Sequence, residues 1–339
     1  MYDVLIRRAE YEEFDDVKRL LADNDLTLED AEYTAIAKLN EDIIGTCSFS
    51  GKIIKCFAVR EDYKGEGLSL KLVTHIIDEM FERGIYEYFV FTKPENINIF
   101  KSMGFKIVHS AYKVCLLEGG KSDINKSIDE MFKKSGLGYE KKSALVMNCN
   151  PFTLGHRYII EKASKESESV VVFIVKEDKS VFPFDIRYSL VKEGVSDLKN
   201  VKVISGGDYI ISSATFPSYF IKQLDDRIDA YTNLDAHIFG KYIAPVFNIV
   251  KRYVGTEPFC KVTEKYNNAL LKILPSYNVE VELVERIKNS GNIVSASFVR
   301  NLIKKGDFNS IRNFIPDVTF NYLVSEKAKG VIERIENEK

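Results

Sequence analysis

The chain has 339 residues, too long for one ordinary hydrophobic core, so two domains are expected. Apolar residues make up 45% and aromatics 12%, which excludes a disordered chain. Lys plus Arg (48) nearly cancels Asp plus Glu (50), which excludes a broad positive field for nucleic acid or an anionic membrane, so partners must be recognised locally.

In chain order, the pattern predicts a strand at 3–8, a helix at about 10–23, and strands near 32–39, 42–49 and 52–60. In "LSLKLVTHIIDEMFERG" the residues Leu68, Leu72, Val73, Ile76, Ile77, Met80 and Phe81 recur at three and four, which predicts a long helix with Gly84 at its C-terminal stop. A strand "YEYFVF", a short helix at about 95–102 and one last strand, "FKIVHSAYKVCLL", complete an α+β domain over residues 1–118. Residues 119–142 open on paired glycines and carry several lysines. They read as a partly ordered connector with a helical turn at "INKSIDEMF".

From 143 to 339 the rhythm becomes strand then helix. "ALVMNC" is followed by a helix at 155–167, "SVVVFIV" by a helix at 184–195, and then come "VKVIS", "DAYTN", "VKRYVG" and "VEVELV" with helices between. Alternation of this kind, with fully apolar strands, predicts a Rossmann-like parallel sheet covered on both faces, so the chain as a whole is α/β. Ligands of such sheets sit beyond the carboxyl ends of the strands, at a switch point.

"NPFTLGHRYII" (150–160) occupies that position, between the domain's first strand and its first helix. Unpaired amides and the helix dipole there favour an anion. Gly155 lets backbone approach closely, His156 can donate to a phosphate oxygen, Thr153 adds a hydroxyl, and Asn150 and Phe152 flank them. Read from these residues alone, Thr153 as a helix cap and His156 as a surface residue explain the stretch as well. A second segment, "VSASFVRNLIKKGDF", puts Ser295 and Ser297 at a helix start with Arg300 one turn on, a pattern suited to terminal phosphates. Lys176, just past "VVVFIV", and Arg187, in the next helix, are further candidate phosphate contacts or solvated charges, and Glu257 lies beyond "RYVG" with no role assigned.

Five scattered cysteines, Cys47, Cys56, Cys115, Cys149 and Cys260, include no C-x-x-C pair and fit reduced thiols. The stretch "MYDVLIRRAEYEEF" has no apolar signal core, and no segment approaches the roughly 20 apolar residues of a membrane span, so a cytoplasmic location is expected.

Thr153-Leu154-Gly155-His156 and Val294-Ser295-Ala296-Ser297-Phe298-Val299-Arg300 resemble the signatures of the nucleotidyltransferase superfamily, T/H-x-G-H and I-S-S-T-x-x-R, the second with Val294, Ala296 and Ser297 as departures. With "MNCNPFTLGHRYIIEKA", "GGDYIISSATFPSYFIKQ", "NLDAHIFGKYIAP" and "RYVGTEPFCKVTEKYN", the stretch 143–315 resembles the citrate lyase ligase family. That resemblance implies a nucleotidyltransferase-type (adenylylating) domain that uses ATP with Mg²⁺ to activate acetate as acetyl adenylate. The acetyl group then passes to the thiol of the phosphopantetheine-type prosthetic group on the citrate lyase acyl carrier subunit. It gives His156, with Thr153, the catalytic role, and Asn150, Phe152, Gly155, Lys176, Arg187, Ser295, Ser297 and Arg300 the nucleotide; no protein metal cage is implied.

The N-terminal domain resembles the GCN5-related acetyltransferase fold, whose Q/R-x-x-G-x-G/A turn reads here as Lys64-Gly65-Glu66-Gly67-Leu68-Ser69. The resemblance implies that Lys64, Gly65, Gly67 and Ser69 hold a coenzyme A-type prosthetic arm. Phe100 stands where many such enzymes carry a proton-donating tyrosine, so the domain is expected to bind without transferring. Two rivals remain on sequence grounds: an adenylyltransferase acting on a phosphomonoester in coenzyme biosynthesis, and an N-acetyltransferase with a nucleotide-sensing domain.

Overall fold

The computed structural model describes residues 4–337 apart from 66, 177–179, 213–215, 218, 222, 257–260 and 290, and the backbone alone at 261 and 262. It divides into two compact units, one formed by residues up to 124 with 216–234, the other by 125–215 with 235–339. Glu257 and Cys260 therefore lie outside the described residues. Among the described residues, no helix is long and apolar enough to cross a membrane.

The first unit comprises β1 (Leu5–Arg8), α1 (Phe14–Asp23), β2 (Tyr33–Leu39), β3 (Asp42–Ser50), β4 (Ile53–Val59), α2 (Leu68–Glu82), β5 (Glu87–Thr92), α3 (Ile97–Ser102), β6 (Lys106–Ala111) and β7 (Val114–Gly120). Its sheet runs β1-β2-β3-β4-β5-β7-β6. The stripe on α2 buries Leu68, Leu72, Val73, Ile76 and Met80 against this sheet, whereas Phe81 lies exposed over the edge of Tyr86. The strand expected across 105–117 is instead a hairpin. Tyr112, at φ +52°, turns the chain so that Ala111 pairs with Val114, a reversal that the continuous apolar run concealed. Strands β4 and β5 are parallel and in register only at Ile53–Phe89 and Ile54–Val90. Beyond that point Phe91 O accepts a hydrogen bond from Tyr219 Oη at 2.8 Å, and Tyr219 O accepts from Thr27 N at 2.9 Å, so a segment remote in sequence completes this unit.

The second unit comprises α4 (Ile124–Ser135), β8 (Lys142–Met147), α5 (Leu154–Glu166), β9 (Ser169–Ile174), α6 (Phe184–Gly194), β10 (Val201–Ser205), the last turn of α7 (Leu224–Ile238, most of which belongs to the first unit), α8 (Ala244–Phe247), β11 (Ile249–Gly255), α9 (Lys261–Ile273), β12 (Glu280–Val284), β13 (Lys288–Asn289), β14 (Asn292–Ile293), α10 (Ala296–Lys304), α11 (Phe308–Ile311), α12 (Asp317–Leu323) and α13 (Lys329–Asn337). Helix α4 lies within the stretch read as a connector. Ile128 and Phe132 are buried, the latter edge-on to Phe247 at 5.2 Å. "DAYTN", expected as a strand, lies inside α7: Ala230, Leu234 and Ile238 are buried at the four-residue spacing of a helix, not the two-residue spacing of a strand.

The expected parallel sheet is present, with strand order β10-β9-β8-β11-β12 and every pair parallel. Val170 to Ile174 are fully buried because helices cover both faces. The order reverses at β8, with β9 and β10 on one side and β11 and β12 on the other, so the switch point lies at the carboxyl end of β8.

Candidate active site

The chain leaves β8 at Met147, passes a cis Asn150–Pro151 bond and enters α5 at its N-cap, Thr153. Thr153 is extended and buried, and its Oγ1 accepts from His156 N at 3.4 Å. The ring of His156 returns the favour: its Nδ1 accepts from Thr153 N at 3.1 Å and lies 2.9 Å from Thr153 Oγ1. A backbone N–H can only donate, so Nδ1 carries no proton and the neutral ring holds its proton on Nε2. Phe152 backs the imidazole, the two rings 18° from parallel at 6.2 Å.

Burial, and secondarily the charge of Arg286, push the His156 pKa down to about 4. At neutral pH the ring is therefore uncharged and presents a single donor, Nε2–H. Nε2 has no partner among the described residues and is not a sealed buried atom.

The second phosphate motif comes to the same place. Ser295 is the N-cap of α10, accepting from Phe298 N at 3.2 Å, and its hydroxyl lies 3.2 Å from that of the exposed Ser297. Val294 sits so close to α5 that a Cβ on Gly155 would lie 2.9 Å from Val294 O. Arg300 Nη1 donates to Asn150 O at 2.5 Å, and its other donors have no partner among the described residues. Two helix starts, 142 residues apart in sequence, thus converge at the switch point. This is the geometry of a polyanion site: amides, hydroxyls, a neutral imidazole donor and a guanidinium on one rim.

Other expected nucleotide contacts are used differently. Arg187 is fully buried, with Nη1 donating to Asn148 O (2.8 Å), Asn148 Oδ1 (2.7 Å) and Val175 O (2.9 Å), and Nε to Phe182 O (2.9 Å). It ties the carboxyl ends of β8 and β9 together, a buried role that its charge alone did not reveal. Phe152 is likewise a core residue, its side chain filling the space beside Gly194 and its carbonyl accepting from Thr319 Oγ1. Asn150 works through its backbone and its Oδ1, which accepts from Phe182 N at 3.0 Å. Lys176 is exposed at the end of β9, 3.4 Å from Asp208. Sequence reading missed Asn148, the acceptor that anchors Arg187, and Arg286, which stands just past β12 with Nε donating to Thr256 O at 2.7 Å. A polar residue immediately after an apolar strand was the available signal for Asn148, whereas Arg286, two residues past the alternating β12, carried no such mark.

In the first unit, the turn before α2 has Gly65 at φ +90° and Gly67, the N-cap, at φ +76°. Only glycine adopts these values without strain, and the turn leaves the first amides of α2 uncapped by any side chain. Ser69 lies in that first turn, and Lys64 pairs with Glu61. Phe100 is buried among Phe57 and Phe105.

Comparison with known proteins matches residues 142–323 to the family described as citrate lyase ligase C-terminal domain, and residues 1–105 to the acetyltransferase (GNAT) family. The chain is 37% identical over 324 residues to the [citrate [pro-3S]-lyase] ligase of Escherichia coli (strain K12), covering 94% of this chain and 92% of that protein. It is also 37% identical over 317 residues to the Haemophilus influenzae protein of the same name, covering 91% and 94%. A solved GNAT-family acetyltransferase from Staphylococcus aureus Mu50 aligns with 35% of this chain and 99% of its own length, at 12% identity and a TM-score of 0.31.

Proposed function

The chain belongs to the citrate lyase ligase family, and from that premise we propose that it is an ATP-dependent, AMP-forming acid–thiol ligase that acetylates the prosthetic-group thiol of the citrate lyase acyl carrier subunit. The observation that carries the reading is the convergence of the α5 and α10 starts, with Gly155 against Val294 and Arg300 on Asn150 O.

On this reading the triphosphate lies across the two helix starts. An acetate oxygen attacks the α-phosphorus in line, the bond to the bridging oxygen breaks, and pyrophosphate leaves with that electron pair, giving acetyl adenylate. His156 Nε2–H donates to the α-phosphoryl oxygen on which charge grows. Thr153 acts as a positioning residue, since its backbone N–H fixes the tautomer that makes Nε2 the donor. Ser297 and the uncommitted donors of Arg300 hold the departing pyrophosphate, the Ser295 cap sets the start of α10, and Lys176 exchanges Asp208 for phosphate. Acetate arrives as a carboxylate, so no general base is required for this half. In the second half the carrier thiolate attacks the acetyl carbonyl, and AMP leaves through its phosphate oxygen.

Magnesium would accompany the nucleotide and neutralise phosphate charge. Such an ion would be held largely by phosphate oxygens and water. The glycine turn at Gly65 and Gly67, with Lys64 and Ser69, would take the phosphate of the prosthetic arm. Buried Phe100 has no proton to give, which supports a binding role for that unit over N-acetyl transfer. Cys47, Cys56, Cys115 and Cys149 are buried free thiols, as suits a cytoplasmic protein.

The test mixes the protein with ATP, Mg²⁺, acetate and deacetylated citrate lyase and follows recovery of lyase activity with AMP and pyrophosphate release. Recovery that depends on both acetate and ATP is expected. A stable dinucleotide product would point to the phosphomonoester acceptor instead.

A further inference from the structure

A groove of about 650 Å³ runs along the outer edge of β10, between α4 and α6. Its apolar lining includes Val195, Leu198 and Val203, and every ionisable group lining it apart from the Tyr188 phenol is a lysine: Lys134, Lys192, Lys199 and Lys202. Lys134 stands 3.4 Å from Glu130, while Lys192, Lys199 and Lys202 have no ion-pair partner among the described residues. Of the carboxylates adjoining these residues in sequence, Asp197 is taken by Arg157 in a two-point bridge, and the exposed Glu193 follows Lys192. The Tyr188 hydroxyl donates to Val203 O on the strand edge at 3.2 Å. A single lysine on an edge strand suffices to deter strand-to-strand association. Four around an apolar concavity, in a chain whose charges otherwise nearly balance, call for an anionic partner.

We propose that this groove docks the acyl carrier subunit through an acidic face on that subunit, an inference that rests on the function proposed above. Its position serves that role. Ser205 is level with Ile174 and Ile174 with Met147, so the upper end of the groove reaches the carboxyl edge of the sheet where the nucleotide site lies. Only β9 separates β10 from β8, a lateral distance of about 10 Å at two strand spacings. A carrier seated there holds its tethered thiol beside the site of the adenylate, and the exposed lysines recognise it without entering the chemistry.

The experiment reverses three charges, K192E/K199E/K202E, and measures two reactions. Acetate-dependent exchange of pyrophosphate into ATP needs no carrier and stays within about twofold of wild type. The KM for deacetylated carrier subunit rises at least tenfold with little change in kcat, and the salt dependence of kcat/KM flattens. A variant with wild-type exchange and an unchanged carrier KM overturns the proposal, as does a rise in the KM for ATP in place of the carrier's. If the glutamates impair folding, K192Q/K199Q/K202Q replaces them. A three- to tenfold rise in carrier KM then supports the groove, and no rise removes it. Failure of the functional reading itself is separable, because the wild-type protein would then show no acetate-dependent exchange at all.

Discussion

Gly155→Ala isolates the approach of the two helix starts. Gly155 is in the first turn of α5 and has no left-handed backbone, so alanine meets no conformational penalty there and would gain up to about 1 kcal/mol in helix propensity. Against that, the new methyl would lie 2.9 Å from Val294 O, whereas ordinary contact begins at 3.4 Å. The opposing atom is backbone carbonyl and cannot rotate away, so α5 and the strand leading to α10 must part by about half an ångström. Overpacking of this kind costs about 1–3 kcal/mol. The clash therefore outweighs propensity, leaving a net loss of roughly 0–2 kcal/mol and a thermal midpoint lower by at most several degrees.

Turnover should suffer more than stability. On the proposed reading, displacing His156 from Arg300 misaligns groups that act on one triphosphate, and a misplacement near 1 Å costs about 10²-fold. Acetate-dependent pyrophosphate exchange by Gly155→Ala should fall about 10- to 100-fold while most of the protein stays folded at 25 °C. A variant with a raised midpoint and wild-type exchange would show that propensity wins and that the approach is incidental; it would falsify the reasoning.

His156→Ala should lose about 10²–10³-fold in exchange, the effect of removing one donor to a developing charge at about 3–4 kcal/mol, with circular dichroism near wild type; a loss explained by unfolded protein alone contradicts the role. Arg187→Met strands the buried acceptors at Asn148, Val175 and Phe182, so denaturant unfolding should register a loss of about 2–4 kcal/mol while the KM for ATP moves less than about threefold. The reverse pattern would restore Arg187 to the nucleotide. The lowered pKa of His156 also fixes a stability window: below about pH 6.5 the unfolded chain takes up a proton that the folded ring refuses until about pH 4. Stability is therefore complete above pH 6.5 and falls by about 1–3 kcal/mol as pH drops to 4, a slope that His156→Ala removes. Saturating ATP should raise the ring's pKa again, read by NMR titration of the imidazole, and a pKa unmoved by nucleotide would separate the ring from the phosphates.

What sequence could reveal follows from how far each signal reaches. The stripe on α2, the buried strand β9 and both helix caps are local patterns, and they stand as read at Leu72, Val172, Thr153 and Ser295. The hairpin at Tyr112 was hidden because no glycine or proline marks the turn between β6 and β7. The passage of residues 216–234 into the first unit was hidden for another reason. Phe216, Tyr219 and Phe220 read as core residues in either unit, and only the third dimension tells that Tyr219 meets Thr27 and Phe91. The same limit applied to Arg187, whose charge suggested phosphate while its apolar neighbours Ile186, Leu190 and Val191 already argued for burial.

The two arginines of the second unit show what separates a scaffold group from a site group. Arg187 and Arg300 both lie in helices, and both bind carbonyls of the segment that follows β8. Arg187 is fully buried and committed to several acceptors, so it can hold Asn148 and Val175 in place but offers a phosphate no route to its donors. Arg300, half-buried, spends one donor on Asn150, and its others have no partner among the described residues. The fixed arginine makes the loop rigid enough for the free one to act, because an anion gains most from donors whose positions are set before it arrives.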